Sequence, residues 1–141
     1  MIIKIIMVRR FEVDLNYGIS INVDVKSIGD LRNSVGWNSM TEFHTKSLCN
    51  SYFYICCYDN DKLVGFLDVV SNGSSDAYIQ DVIVRPEYQF KGVGTTLMAM
   101  AIDKLKKNNI YAISVLFDER LSDFYKKFGF FIMCGGQIIN E

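Results

Sequence analysis

VRPEYQFKGVGTTL, residues 84–97, places the chain's single proline, one lysine and two glycines between an apolar run and a helical pattern. Downstream, Val93, Leu97, Ala101 and Leu105 recur every fourth residue with Met98 and Ile102 beside them, which predicts an amphipathic helix over about 92–107. Lys104, Lys106 and Lys107 suit its negative end, and Asn108 with Asn109 can close it. Its positive end carries no Ser, Thr, Asp or Asn where a side-chain cap would sit. A helix starts with N–H groups that have no intrahelical partner and about half a unit of positive charge. Gly92 and Gly94 let another molecule approach that backbone closely. The start therefore suits an anion, a phosphate or pyrophosphate, with Gln89 and Lys91 nearby.

Working outward, odd positions from 11 to 25 are apolar and the even ones between them polar or glycine, the alternation of a strand, with a hairpin expected around Asn16 and Gly18. Two short helices are expected between 27 and 50, joined through SVGWN (34–38), with Ser39 or Thr41 as caps. YFYICCY, DNDK and LVGFLDVV read as an antiparallel hairpin, and YIQDVIV as a further strand. YAISVLF reads as a buried strand, LSDFYKKF as a short helix ended by Gly129, and FFIMCGGQII as a final strand region. The order predicts one α/β domain on a mixed sheet over 1–141, with no repeat, linker or second domain.

At 141 residues, half of them hydrophobic, the chain can bury a core without metal or disulfide staples. Fifteen Lys and Arg against sixteen Asp and Glu argue against a partner held by bulk charge, so neither nucleic acid nor a membrane surface is expected. The four cysteines form no C-x-x-C pair and have no nearby histidine cluster, so no metal site is expected and buried, reduced thiols are. The opening apolar stretch is broken by Lys4, and no uncharged run reaches the ~18 residues of a membrane span. A soluble, cytoplasmic protein is the expectation.

Three phosphate-binding designs compete for the glycine loop. A Walker loop needs its lysine after the glycines, and here Lys91 precedes them. A dinucleotide fingerprint needs a third glycine where Leu97 stands. V-x-V-x-P-x-x-Q-x-x-G-x-G, residues 82–94, instead resembles the acetyl-CoA motif of the GNAT superfamily of N-acetyltransferases. FYKKFGF, residues 124–130, resembles that superfamily's second landmark, an aromatic-Tyr segment after the fifth strand. The likeness covers roughly 19–138, leaves the first eighteen residues as an extension that adds a strand, and is nearest to a small, poorly characterised bacterial-type subgroup. It implies a GNAT-like fold, a mixed and mostly antiparallel central sheet flanked by helices.

The resemblance also implies roles. Val82, Ile83 and Val84 would offer backbone groups to the pantetheine arm of acetyl-CoA. Gln89, Phe90, Lys91, Gly92, Val93, Gly94 and Thr95 would wrap the pyrophosphate, with Phe124 beside them. Acetyl transfer to an amine requires a neutral nucleophile, N–H donors for the oxyanion and a proton for the departing thiolate. Tyr125, where the superfamily commonly carries its general acid, would supply that proton. Asp81 is the candidate base, since a carboxylate between apolar Ile79 and Ile83 on one strand face would have a raised pKa. The alternative for Asp81 is a partner for a backbone N–H or an arginine. The superfamily's glutamate base is absent near Tyr78, and its asparagine before the tyrosine motif is replaced by Asp118 and Glu119.

Trp37 and Gln80 are expected at the acceptor pocket, and His44, the only histidine, is expected to be exposed. The acceptor is a primary amine of a small molecule or peptide, with a homodimer paired through the alternating N-terminal strand as a further expectation. A non-catalytic acyl-CoA-binding module is the rival reading.

Overall fold

The computed structural model describes residues 14–140. Five strands, β1 (Leu15–Ile19), β2 (Phe53–Asp59), β3 (Lys62–Ser71), β4 (Asp76–Val84) and β5 (Ala112–Val115), form one sheet in the order β1-β2-β3-β4-β5. The first three pairings are antiparallel and β4 with β5 is parallel. Four helices flank it: α1 (Val25–Ser34), α2 (Thr41–Ser47), α3 (Val93–Lys107) and α4 (Ser122–Lys126).

The sheet is buried on both faces. Ile55, Leu67, Val69 and Ile79 pack against Leu97, Met98, Ala101 and Leu105 of α3. On the opposite face Cys56, Phe66 and Ile83 pack against Ile28 and Leu31 of α1. Burying such side chains is worth roughly 1.5–3 kcal/mol each, so α3 and α1 hold the sheet between them. Gly65 on β3 lets the start of α3 settle close: a Cβ there would stand 3.0 Å from Val93 and 3.1 Å from Leu97.

The N-terminal segment departs from the hairpin expectation. Asn16 and Gly18 lie inside β1, opposite Tyr58 and Cys56, and the alternation ends where Asp24 caps α1 by accepting from the Lys26 amide. Residues 11–13 lie outside the described residues, as does most of the extension. Among the described residues β1 ends the sheet, and its inner side is taken by β2 of the same chain. The two helices between 27 and 50 are present, but neither Ser39 nor Thr41 caps one: Met40, in the left-handed region at φ 54°, precedes α2, and Thr41 is its first residue.

At the other end, β5 is four residues long and only half buried, and 130–140 contains no strand. Phe131, Met133 and Ile138 are exposed instead. Apolar composition alone does not make a strand; the backbone needs a ladder partner. Gly129, with φ +93°, ends the turn after α4 as the sequence suggests. Of the cysteines, Cys56 and Cys57 are buried but Cys49 and Cys134 are exposed, all four free.

Candidate functional site

β4 pairs with β5 only from Asp76 to Ile79, although β4 continues to Val84. Beyond Ile79 the far edge of β4 has no strand against it among the described residues. Its backbone groups open into a cleft of about 740 Å³ lined by Tyr78, Gln80, Asp81, Val82, Trp37 and Tyr125, among others. This divergence gives the open edge that a thioester carbonyl and its oxyanion need.

A bulge sharpens it. Gln80 pairs with Asp68 and Ile83 with Phe66, so Asp81 and Val82 together stand opposite Leu67, and Asp81 takes a positive φ of 51°. The extra residue switches faces. Ile79 and Val82 join the α3 side, whereas Ile83 joins the α1 side. Asp81 therefore does not share a face with both Ile79 and Ile83, and its surroundings are charged. Arg32 of α1 donates from Nη1 to Asp81 Oδ1 at 2.8 Å, and His44 Nε2 lies 3.1 Å from Oδ2.

The expected rise of the Asp81 pKa is thus reversed. Burial is the largest single influence and pushes it up, but the His44 hydrogen bond and the Arg32 charge together outweigh burial and hold the carboxyl below its ordinary value. The arginine alternative is the arrangement observed. Arg32 is itself fixed, donating from Nε to the Asn38 carbonyl at 2.7 Å and from Nη2 to Asn38 Oδ1 at 3.1 Å.

His44 is 5% exposed, against the expectation of an exposed residue. Its Nδ1 lies 3.0 Å from the Met40 carbonyl, which can only accept, so Nδ1 carries a proton. An ionised Asp81 on the other side also only accepts, which favours the imidazolium with both nitrogens donating. Its pKa is raised chiefly by the Asp81 bond, with burial opposing.

At the mouth of the splay the backbone turns through a 3-10 segment, Pro86–Tyr88, into α3. The Gln89 side chain donates from Nε2 to the Val84 carbonyl at 2.9 Å, tying the loop to the strand end. Arg85 donates to the Leu63 carbonyl, and the Tyr88 hydroxyl to Asp59. Gly92 is the cap of α3, at φ +86° and with no side-chain cap bond, as the sequence indicates. The first helical bond runs from the Thr96 amide to the Gly92 carbonyl. The amides of Val93, Gly94 and Thr95 precede it and point from the helix end, where an anion can receive them. The Val93 side chain is buried and Thr95 is exposed. Phe90 is fully exposed at φ 61°, and Lys91 is exposed beside it, its ammonium 6.0 Å from the Tyr88 ring.

Tyr125 of α4 faces the cleft from the other side, 5% exposed and stacked on Phe117 at 4.3 Å. Burial, with a smaller contribution from Tyr78, pushes its phenol up to about 12. Phe124 packs edge-on to it and lies 3.5 Å from where a Gly94 Cβ would be, so α4 and the start of α3 meet. Trp37 lines the cleft and lies under the Arg32 guanidinium at 5.2 Å. Gln80 lines it too, its amide donating to Asp68 Oδ2 at 2.9 Å.

Sequence reasoning did not find Arg32. Nothing in the sequence pairs residues 49 apart, and His44 reads as one polar residue in a short helix. The one available signal was the apolar run Val82, Ile83, Val84, which breaks the alternation and marks the bulge.

No helix among the described residues is long and apolar enough to cross a membrane. The acetyltransferase (GNAT) family profile matches residues 25–130. The chain is similar to an uncharacterized N-acetyltransferase ycf52 of Gracilaria tenuistipitata var. liui, 31% identical over 137 residues, covering 90% of this chain and 75% of that protein. It is similar to its counterpart of the same name in Pyropia yezoensis, 32% identical over 114 residues, covering 77% of this chain but 66% of that protein. Among solved structures, a protein of unknown function from meticillin-resistant Staphylococcus aureus, described as a probable acetyltransferase, superposes with a TM-score of 0.81. It is 25% identical and covers 89% of this chain and all of its own. The profile match over three quarters of the chain, the relatives and the shared fold converge: the chain belongs to the GNAT family of acetyltransferases, acetyl-CoA-dependent acyltransferases.

Proposed function

We propose that the chain transfers the acetyl group of acetyl-CoA to a primary amine of a small molecule or peptide, by direct attack in a ternary complex. The observation that carries this is the position of the uncapped start of α3 at the foot of the splayed β4, with Tyr125 across the cleft. A pyrophosphate on the Val93, Gly94 and Thr95 amides directs the thioester along the open edge of β4. Backbone N–H groups at Val82 to Val84 then meet the carbonyl oxygen as it becomes an oxyanion.

The amine nitrogen bonds to the acyl carbon and the carbon–sulfur bond breaks. One proton leaves nitrogen and one arrives at sulfur, so the transfer balances. Tyr125, with a pKa of about 12, is a weaker acid than a thiol near ~8.5. Complete transfer from phenol to thiolate is uphill by roughly 5 kcal/mol, so Tyr125 acts by donating a hydrogen bond to the departing sulfur. The proton lost by the attacking nitrogen replaces any that Tyr125 passes on.

Asp81 is in no position to be the base. Both its oxygens are engaged by cations and its pKa is lowered, so it anchors α1 and α2 to the bulge. The Tyr78 phenol, raised by burial and then by Asp81, stays neutral. Water therefore takes the proton of the incoming ammonium before attack. Trp37 and Gln80 form the acceptor side of the cleft.

The rival, a non-catalytic acyl-CoA-binding module, is favoured by one observation, the engagement of both Asp81 oxygens by Arg32 and His44. Thiol release from acetyl-CoA across an amine panel separates the two. The proposal expects turnover on at least one amine; tight acetyl-CoA binding without turnover on any supports the module.

A further inference from the structure

A second cavity, of about 560 Å³, lies between α2 and the sheet and is distinct from the acetyl-transfer cleft. Its inner wall includes Asp68 of β3, which is 3% exposed. Gln80 holds Asp68 Oδ2, but Oδ1 is buried with no hydrogen-bond partner among the described residues. Leaving a buried carboxylate oxygen unpaired costs stability, and folded proteins rarely keep one without a reason. Glu42, in the first turn of α2, adds a second negative charge at the mouth. Phe43, 66% exposed, and Val70, 43% exposed, supply apolar wall. Lys46 stands at the rim and forms no ion pair among the described residues.

An unpaired buried carboxylate, a second acid and an exposed aromatic face together recognise a cation with an apolar stem. Gln80 belongs to this cavity and to the transfer cleft alike. The residue that orients Asp68 thus lines both cavities.

We propose that the Asp68 cavity is an acceptor subsite for a second cationic group, an alkylammonium or guanidinium, on the same molecule whose primary amine is acetylated in the cleft. The subsite rests on the acetyl-transfer reading for its partner cleft, and it narrows the acceptor to dications. Gln80 bridges the two sites, Asp68 takes the charge, and Phe43 and Val70 flank the methylene stem.

The test uses butane- to octane-α,ω-diamines against n-alkylamines of the same length, with the full chain, by calorimetric binding in the presence of coenzyme A and by acetyl-transfer kinetics. At least one diamine is expected to bind about tenfold more tightly than its monoamine, the worth of one hydrogen bond to a charged group. Asp68→Asn, which preserves shape, should erase that preference through KM. Equal binding of diamines and monoamines by wild type overturns the subsite, as does a preference that survives Asp68→Asn. Should that variant fail to fold, Glu42→Gln and Phe43→Ala, both at exposed positions, must each weaken the preference, and indifference to both overturns it. Asp68-dependent diamine binding without turnover retains the subsite and removes the transfer reading. Monoamine turnover without diamine preference does the reverse.

Discussion

His44 and Asp81, 37 positions apart, meet at 3.1 Å, and Arg32 reaches the other oxygen of the same carboxylate at 2.8 Å. The carboxylate sits on the bulge of β4, so three elements converge on one charge. The bulge lies on the β3 side of β4, and the acid it carries is fixed by α1 and α2.

The titration of this cluster has a defined direction. His44 is raised, so its contribution is complete below about 6.5 and is lost as pH rises through the folded pKa. Asp81 is lowered, so its contribution is complete above 3.8 and is lost as pH falls through the folded pKa. Asp81→Asn should therefore cost about 2 kcal/mol of unfolding free energy between those limits. The cost should shrink on both sides. Urea titrations of wild type and variant across that range check it; a difference that stays constant into alkaline solution would show that His44 is not the charged partner.

The fold was legible where hydrophobic period and turn chemistry agree. The stripe from Val93 to Leu105 and the hairpin around Asn60 and Asp61 depend on local pattern, and both are present. What depends on a partner distant in sequence was not legible. The apolar tail after Gly129 reads as a strand but forms no ladder among the described residues, and Asp81 reads as an isolated acid because Arg32 and His44 come to it only through tertiary packing. The cofactor side of the site is local, a strand end and the helix start that follows it, and so it was readable. The bulge and the orphaned oxygen of Asp68 arise from register, which no single strand carries.

Tyr125→Phe isolates the proposed donor. Among the described residues the hydroxyl has no hydrogen-bond partner, so its removal should leave the melting temperature unchanged while kcat falls by about ten- to a hundredfold, the worth of one hydrogen bond to a charged group. Because the phenol is pushed up to about 12, it stays protonated across the accessible range and contributes no falling limb to the pH–rate profile. The rate should instead rise with pH until the acceptor amine is itself deprotonated, near ~10.4 for an alkylamine. Stopped-assay measurement of thiol release gives both results. A variant that keeps wild-type kcat would remove Tyr125 from the mechanism.

Gly94→Ala separates cradle from scaffold. The added Cβ would meet Phe124 at 3.5 Å and Val84 at 3.6 Å, ordinary contact distances, so the fold accommodates it. The methyl group nevertheless stands on the residue that carries the middle one of the three free amides. Calorimetry should show acetyl-CoA affinity reduced about tenfold, equivalent to one charge-assisted hydrogen bond, with no loss of thermal stability. Gly92→Ala should differ, losing stability by about 1 kcal/mol as well, because φ +86° disfavours any side chain. Unchanged affinity in both variants would place the pyrophosphate elsewhere.

The thiols offer a check on the fold that is independent of activity. Cys56 is buried, and burial followed by the neighbouring Cys57 pushes its thiol up to about 12, so almost no thiolate forms at neutral pH. Cys57 is raised as well, again by burial first. Cys49 and Cys134 are exposed and free. Brief iodoacetamide treatment of the native protein, followed by peptide mass spectrometry, should modify Cys49 and Cys134 first. Cys56 and Cys57 should react only after denaturation, since both lie within the β2 ladder between β1 and β3. Labelling of Cys56 at the rate of Cys49 would mean that the face of the sheet covered by α1 opens in solution, and the anchor formed by Arg32, His44 and Asp81 would then have to open with it.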